Sequence, residues 1–372
     1  MKKVIILLVV TCFTMCQQKL QNDQTIMVDM DHPEKTSLSD YFRSIELIPL
    51  ETSPEVLIAY ISKMIIHGDR YYTLDKRQSI IHVFDQTGKF LFKIDKKGRG
   101  PGEYSFIEDI NINPFSGHLE LLESYGSVHI FDLPGNYIET KRIAYPDFRA
   151  VHLFTAVENH THVFYAMFQP QKIIYFNLDE KLLLHEEFEE KKELGRYAYK
   201  SLYQYQDVSY IFRPFHPVVY KIGKERLEAV FQFDFGTYTR EGTSAIFSEE
   251  SNNRLSKFVE EVFAQFPYVI TTVRHNNRYV LASLLWKDAN SKANIIYDKS
   301  AGKSKFVLDF SEQVEFDPDI VTDEYVLTSC LWVDLEKYIK KEMLDDRQKE
   351  IFEELVQAKM ELNPILIKYW FK

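Results

Sequence analysis

Ile80-Ile81-His82-Val83-Phe84-Asp85 leads through Gln86-Thr87-Gly88 into Lys89-Phe90-Leu91-Phe92-Lys93-Ile94. Two runs of β-branched and aromatic residues around a Gly-containing turn read as a hairpin. The arrangement returns 47 positions later, counted from Phe84 to Phe131, as Ser127-Val128-His129-Ile130-Phe131-Asp132, Leu133-Pro134-Gly135-Asn136 and Tyr137-Ile138-Glu139-Thr140. Weaker copies follow at Ile173-Ile174-Tyr175-Phe176-Asn177 with Leu182-Leu183-Leu184, and at Val218-Val219-Tyr220-Lys221 with Leu227-Glu228-Ala229-Val230-Phe231. A fifth, Asn294-Ile295-Ile296-Tyr297-Asp298 with Lys305-Phe306-Val307-Leu308, is delayed by an insertion at about 237–265 that carries the helix-period stretch 256–263.

Two further strand-like runs precede each hairpin, as at 61–67 and 71–74, or 107–112 and 119–122. Four strands per unit, at a period of about 45 residues, are the pattern of a β-propeller. The last unit begins near Ile320 and is interrupted at about 334–362 by an amphipathic helical stretch. It resumes in Pro364-Ile365-Leu366-Ile367-Lys368-Tyr369-Trp370-Phe371. The alternating segment Arg43-Ser44-Ile45-Glu46-Leu47-Ile48-Pro49-Leu50, left over ahead of the first unit, is expected to complete the last one and close the ring. The expected fold is all-β: a six-bladed propeller of four-stranded antiparallel blades over 38–372, closed by the N-terminal strand, with helical insertions.

The Val83-Phe84-Asp85-Gln86-Thr87-Gly88-Lys89-Phe90 hairpin is followed by Gly98-Arg99-Gly100-Pro101-Gly102-Glu103-Tyr104. Together they resemble the blade-end hairpin and connection of the six-bladed, NHL-like β-propeller lipoproteins, a secreted bacterial family. That resemblance implies a fold and a location more than an activity.

Lys2 and Lys3 precede the apolar run Val4 to Val10, and Thr11-Cys12-Phe13-Thr14-Met15-Cys16 gives way to polar Gln17-Gln18-Lys19. This is a secretory leader over 1–16, too short to span a bilayer as a mature helix. Cys16 is placed like the acylated cysteine of bacterial lipoproteins, with Cys12 as the competing site. Residues 17–37 read as a tether, and the location as the cell envelope, with the outer membrane favoured. With Cys16 acylated, Cys330 has no partner for an internal disulfide. The chain is 45% hydrophobic and 27% charged, a composition of folded proteins, and its 45 basic against 55 acidic residues disfavour a nucleic-acid partner.

Motifs for chemistry are sparse. Gly98 to Gly102 lacks the Gly-Lys-Ser/Thr ending of a phosphate loop, and Pro101 has no N–H to offer, so it reads as a crossover between blades. His160 and His162 alternate along a strand without a third ligand, and no metal or cofactor is expected. There is no Gly-x-Ser-x-Gly elbow, and Cys330 sits in an apolar run as a buried hydrophobe would. Glu103, Glu108, Asp109, Asp317 and Asp319 could supply a carboxylate pair for glycoside chemistry.

In a propeller, the loops joining strands two and three share one face with the connections between blades. The first set contains Lys76, Arg77, Tyr125, Arg213, His216, Trp286 and Lys287, and the second contains Arg99, Glu103, Tyr104, Arg149, Tyr199 and Tyr268. From these, Arg77, Arg99, Glu103, Tyr104, Tyr125, Arg149, Arg213, His216, Trp286 and Lys287 are the candidate ligand-binding residues. Aromatic rings stack on sugars and Arg grips carboxylates, so a glycan or an acidic ligand fits. The expectation is a binding or interaction module. The alternative is a carbohydrate-active hydrolase or lyase at the same mouth, marked by carboxylates converging with Arg or Tyr in a deep pocket. A third reading makes the helical insertions docking surfaces for an envelope protein.

Overall fold

The computed structural model describes residues 25–123, 126–143, 151–166, 172–188, 200–239, 255–358 and 361–372. Its strands form six separate sheets, each built around four antiparallel strands, in sequence order from the channel outward in blades one to five. The innermost strands are Lys63–His67, Ile107–Ile112, Val151–Ala156, Leu202–Tyr205, Tyr268–His275 and Ile320–Val321. Blade six is completed from the other end of the chain: Phe42–Pro49 pairs antiparallel with Ile365–Phe371, with Leu47 opposite Ile367 and Pro49 opposite Ile365. The six-bladed ring and its closure by the N-terminal strand are therefore as expected.

The core lies in the seams between blades. Tyr72, Ile81 and Val83 of blade one pack with Ile110, Leu119 and Leu121 of blade two, and Leu153, Val163 and Tyr175 of blade three with Leu202 and Ile211 of blade four. Because both faces of each sheet are covered, the middle strands are nearly continuously buried, as at Tyr71 to Asp75 and Ile80 to Phe84.

The repeated turn chemistry has a local cause. Asp85 Oδ1 accepts from the backbone N–H groups of Thr87 and Lys89, Asn177 Oδ1 from Asp179 and Glu180, and Asp298 Oδ1 from Ser300 and Ala301. A short acceptor at the end of the third strand thus folds the chain back into the fourth. Gly88 is required for a further reason: its φ is +86°, and a Cβ there would lie 2.3 Å from the Pro49 carbonyl oxygen of the closing strand.

The segment expected to be a tether is, from residue 25 on, part of the body. Thr25–Met27 adds a parallel fifth strand to blade four, beside Gln232, Phe233 and Asp234. Ile26, Val28 and Met30 are buried between blades four and five. The apolar alternation in Thr25-Ile26-Met27-Val28-Asp29-Met30 is short, which is why polar composition hid it. Glu34 N–H then donates to Phe306 O, and Ser37 to Glu312, carrying the strap on to the closing strand.

The helical insertions are present as Leu255–Gln265 and as Leu335–Tyr338 with Asp346–Val356. The second folds onto its own blade: Leu335, Ile339, Phe352 and Leu355 are buried there, and Gln348 Oε1 accepts from Leu47 N–H. An exposed apolar stripe for docking is thus not offered by its described residues. Among the described residues, no helix is long and apolar enough to cross a membrane.

Candidate functional site

The inner strands enclose a cavity of about 540 Å³, a size suited to a small molecule. Tyr60, Lys63, Lys200, Asp317, Asp334 and Tyr338 line it at or before the starts of inner strands or beside blade six's helical insertion, and Asn111, Gln204, Tyr205 and Asp323 line it near the ends of inner strands or just beyond. Two bridges span the ring at the latter end. Tyr205 of blade four donates to Asp323 Oδ1 of blade six at 2.7 Å, and Gln204 Nε2 of blade four donates to Asn111 Oδ1 of blade two at 3.0 Å. They narrow that end, and the cavity continues from it towards the side where the inner strands begin. Asp323 accepts three further hydrogen bonds, one from Gln206 and two from Asn277; burial opposes its charge, but Tyr205 and these partners outweigh it and hold the carboxyl below the usual range.

A charged cluster braces the wall. Lys200 Nζ lies 2.7 Å from Asp317 Oδ2 and 2.9 Å from Asp319 Oδ1. Thr272 Oγ1 donates to Asp317 Oδ1, while Ser329 donates its N–H and its hydroxyl to Asp319 Oδ2. Burial opposes the charge on Lys200, but the two aspartates outweigh it and raise its pKa. Burial likewise works against ionised Asp317, and Lys200 outweighs it to lower the pKa. Arg274 lies beside this cluster over the Tyr203 ring, 5.0 Å from its centroid.

The cluster follows the blade repeat. Lys63 Nζ meets Asp109 Oδ1 at 2.7 Å across a separation of 46 residues, Asp109 Oδ2 accepts from Phe154 N–H across 45, and Thr272 meets Asp317 across 45. These residues recur at about the blade period on inner strands or just before them, where each blade is tied to the next. A blade-by-blade alignment of the sequence would have flagged them, since charge recurs at one phase of the period.

A family model described as a domain of unknown function, DUF4934, matches residues 23–369. The chain belongs to the DUF4934 family. No curated protein matches it. Its fold is similar to that of a Bacteroides fragilis protein assigned as exported, with a TM-score of 0.70 at 16% identity over 94% of this chain and 99% of that one. A DUF4221 member from Bacteroides vulgatus is similar with a TM-score of 0.51 at 10% identity, over 89% and 97%. At these identities the likeness concerns the fold alone.

In this DUF4934 chain, none of the described rim candidates lines the cavity. Tyr104 is 1% exposed in the seam between blades one and two, where its hydroxyl donates to Ile94 O and accepts from Lys96 N–H. Glu103 turns inward on its own loop and accepts from Gly100 N–H at 2.7 Å. Both are parts of the crossover and not ligand residues, because the loop must satisfy its backbone where it leaves the sheet. Arg99, in the same loop, is exposed.

Trp286 is also corrected: at 5% exposure it is packed edge-on against Tyr238 and Phe306, with Lys287 Nζ 5.0 Å from its ring centroid. Arg213 and His216 face each other across their hairpin, and the Arg213 guanidinium sits over Tyr220. Of the eight described candidates, Arg77 lies 6.0 Å from the ring of Tyr60, which is 47% exposed and lines the cavity. Tyr125, Arg149 and Cys16 lie outside the described residues.

The histidine pair separates. His162 is buried against Glu120 at 2.9 Å, and His160 meets Asp179 at 2.8 Å on the surface. No group of three metal-ligating side chains occurs among the described residues. Cys330 is buried, and burial pushes its thiol up to about 12, away from nucleophilic use.

Proposed function

We propose that this DUF4934 propeller is an exported, lipid-anchored binding module that holds a small polar ligand, a glycan or an acidic molecule, inside its channel cup. The observation that carries this reading is the cup itself: Tyr60, Phe154, Tyr203, Tyr205 and Tyr338 interleave on its wall with fixed polar groups. Aromatic faces for stacking and rigid donors for orientation are the ordinary constituents of a small-molecule site.

The test is titration of neutral and acidic sugars into the mature protein and into Gln204→Trp, which fills the cup from its narrow end. Binding that is lost in Gln204→Trp, yet retained in a Lys287→Ala control, supports the channel. Binding unchanged by Gln204→Trp returns the site to the outer surface.

A second reading, a carbohydrate-active enzyme, is favoured by the depth of the cup and by the convergence of Asp317 and Asp319 near Arg274. Binding is the better supported of the two because the four carboxylate oxygens are already engaged, and Asp317 is biased towards the ionised form rather than the proton-donating one. Turnover assays on polysaccharides separate the two.

Export and anchoring rest on the leader, on Cys16, and on the exported assignment of the similar Bacteroides fragilis protein. Palmitate incorporation is expected in the wild type and absent in Cys16→Ala. Labelling that persists in the variant moves the anchor to Cys12.

A further inference from the structure

On the premise that the channel is the ligand site, its polar groups narrow the chemistry of what it holds. Five aspartates line the cavity against three cations, Lys63, Lys200 and Arg274, so an acidic molecule would enter against net negative charge. Each of these cations is already engaged. Lys63 is matched by Asp109, Lys200 by Asp317 and Asp319, and Arg274 directs Nε and Nη1 to the backbone carbonyls of Asp319, Lys200 and Val273. A cationic molecule finds no open buried carboxylate either. Asp317, Asp319 and Asp323 have both oxygens engaged, Asp334 meets Lys337 at 2.7 Å, and Asp207 is exposed at its turn.

The unused hydrogen-bonding capacity is on neutral side chains. Gln204 Nε2 donates to Asn111 Oδ1 at 3.0 Å, tying the inner strand of blade four to that of blade two. Asn111 is 3% exposed, and its Nδ2 has no partner among the described residues. Gln204 Oε1 accepts no hydrogen bond from them. Both residues line the cavity, as does Thr155, whose hydroxyl lies 2.6 Å from Ser209 Oγ, itself 3.4 Å from Gln204 Nε2. A neutral polar patch thus runs over blades two, three and four. Gln204 is half-buried and its amide is held by these two contacts, so it can turn to admit a ligand group beside Asn111. Buried polar atoms are rarely left unpaired, because each forfeits its hydration without compensation.

The open donor of Asn111 and the open acceptor of Gln204 belong to two amides already joined by a hydrogen bond, which keeps them close together. A carboxylate only accepts, and would satisfy Asn111 alone; an ammonium only donates, and would satisfy Gln204 alone. A hydroxyl does both. One hydroxyl, or two on neighbouring carbons, therefore suits the pair, while the rings of Phe154 and Tyr205 on the same wall offer apolar faces to the C–H groups of a sugar.

We propose that Asn111 and Gln204 form a hydroxyl-binding site in the channel, and that the ligand is an uncharged sugar.

The probes are D-glucose and D-galactose, each with its uronate and its 2-amino counterpart, titrated calorimetrically into the full mature protein. At least one neutral sugar is expected to bind about tenfold or more tightly than its acid and its amine, because the charged forms bring a group that the channel leaves unpaired. Asn111→Leu and Gln204→Leu, on different blades and close in size to the residues they replace, are each expected to weaken that binding about tenfold or more. Since Asn111 Nδ2 has no partner in the free protein, Asn111→Leu is also expected to keep the thermal midpoint of the free protein within about 4 °C while removing the rise that the sugar brings. A merely structural role would lower the midpoint and leave the affinity in place.

An acid or an amine that binds as tightly as the neutral sugar, or neutral-sugar binding that survives both leucine variants while Gln204→Trp abolishes it, overturns the hydroxyl site and leaves the channel reading standing. Failure of every sugar to bind overturns the uncharged-sugar assignment. Binding that Gln204→Trp leaves untouched overturns the channel reading itself, so the two failures are distinguishable.

Discussion

The seam between blades one and two and the seam between blades five and six both close their charges, by different means. In the first, Lys63 and Asp109 form a one-to-one pair, and the other aspartate oxygen is taken by Phe154 N–H, so the group is closed on itself. In the second, Lys200 alone meets both carboxylates, every carboxylate oxygen is engaged, and the neighbouring Arg274 spends its Nε and Nη1 on backbone carbonyls. A repeated position that satisfies itself holds blades together. The neutral pair Asn111 and Gln204, which keeps a donor and an acceptor unused, is the place to look for a ligand.

The largest effect expected from this contrast concerns the closed pair. Lys63→Ala strands a buried carboxylate and is expected to lower stability by about 3 kcal/mol or more, read from urea denaturation. Restoration by a second change, Asp109→Leu, identifies the stranded charge as the cause. A loss well under ~1 kcal/mol would make the pair a surface-like ornament and erase the distinction between closed and unused groups.

Two buried histidines sharpen the comparison through pH. Burial lowers the His82 pKa from 6.5 to about 4 and that of His275 to about 3. His275 Nδ1 accepts from Tyr203, the residue beneath Arg274, whereas His82 Nδ1 has no partner. For a base whose folded pKa is depressed, the unfolded chain takes up the proton first. Stability is therefore full above pH 6.5 and is lost as pH falls through the window down to the folded value. Between pH 6.5 and 4.5 the His82 contribution is expected to fall by about 2 kcal/mol. His82→Phe should roughly halve the slope of the acid limb in that range, since His275 contributes over the same range and continues alone towards about pH 3. An unaltered slope would show that His82 titrates normally.

The smallest effects belong to the rim. Arg77→Ala and Lys287→Ala, both at exposed positions, are expected to change stability by no more than about 0.5 kcal/mol. They should also leave sugar affinity within about twofold, as neither donates to the cup. A large loss of affinity in either variant would restore the rim as the binding surface.

The hairpins were legible because their determinants are neighbours in the chain. Phe84-Asp85 and Phe131-Asp132 end one strand and start a turn through contacts spanning two to four residues. The closing strand was legible as well, since Ile45, Leu47 and their alternation demanded a sheet that the preceding sequence did not provide. The ligand candidates fared worse. Loop position distinguishes a face of the propeller but not how far a side chain stands from its axis, and Tyr104 and Trp286 were drawn into seams by their apolar area.

From its order of residues alone, this chain determined a period, a hairpin in each turn of that period and a spare strand for the ring, because those depend on local alternation and turn chemistry. Tertiary structure alone decided which polar groups are paired. Asn111 and Gln204 look like any other asparagine and glutamine in the sequence, and their unused donor and acceptor become visible only when residues 93 positions apart are brought within hydrogen-bond reach and water is excluded.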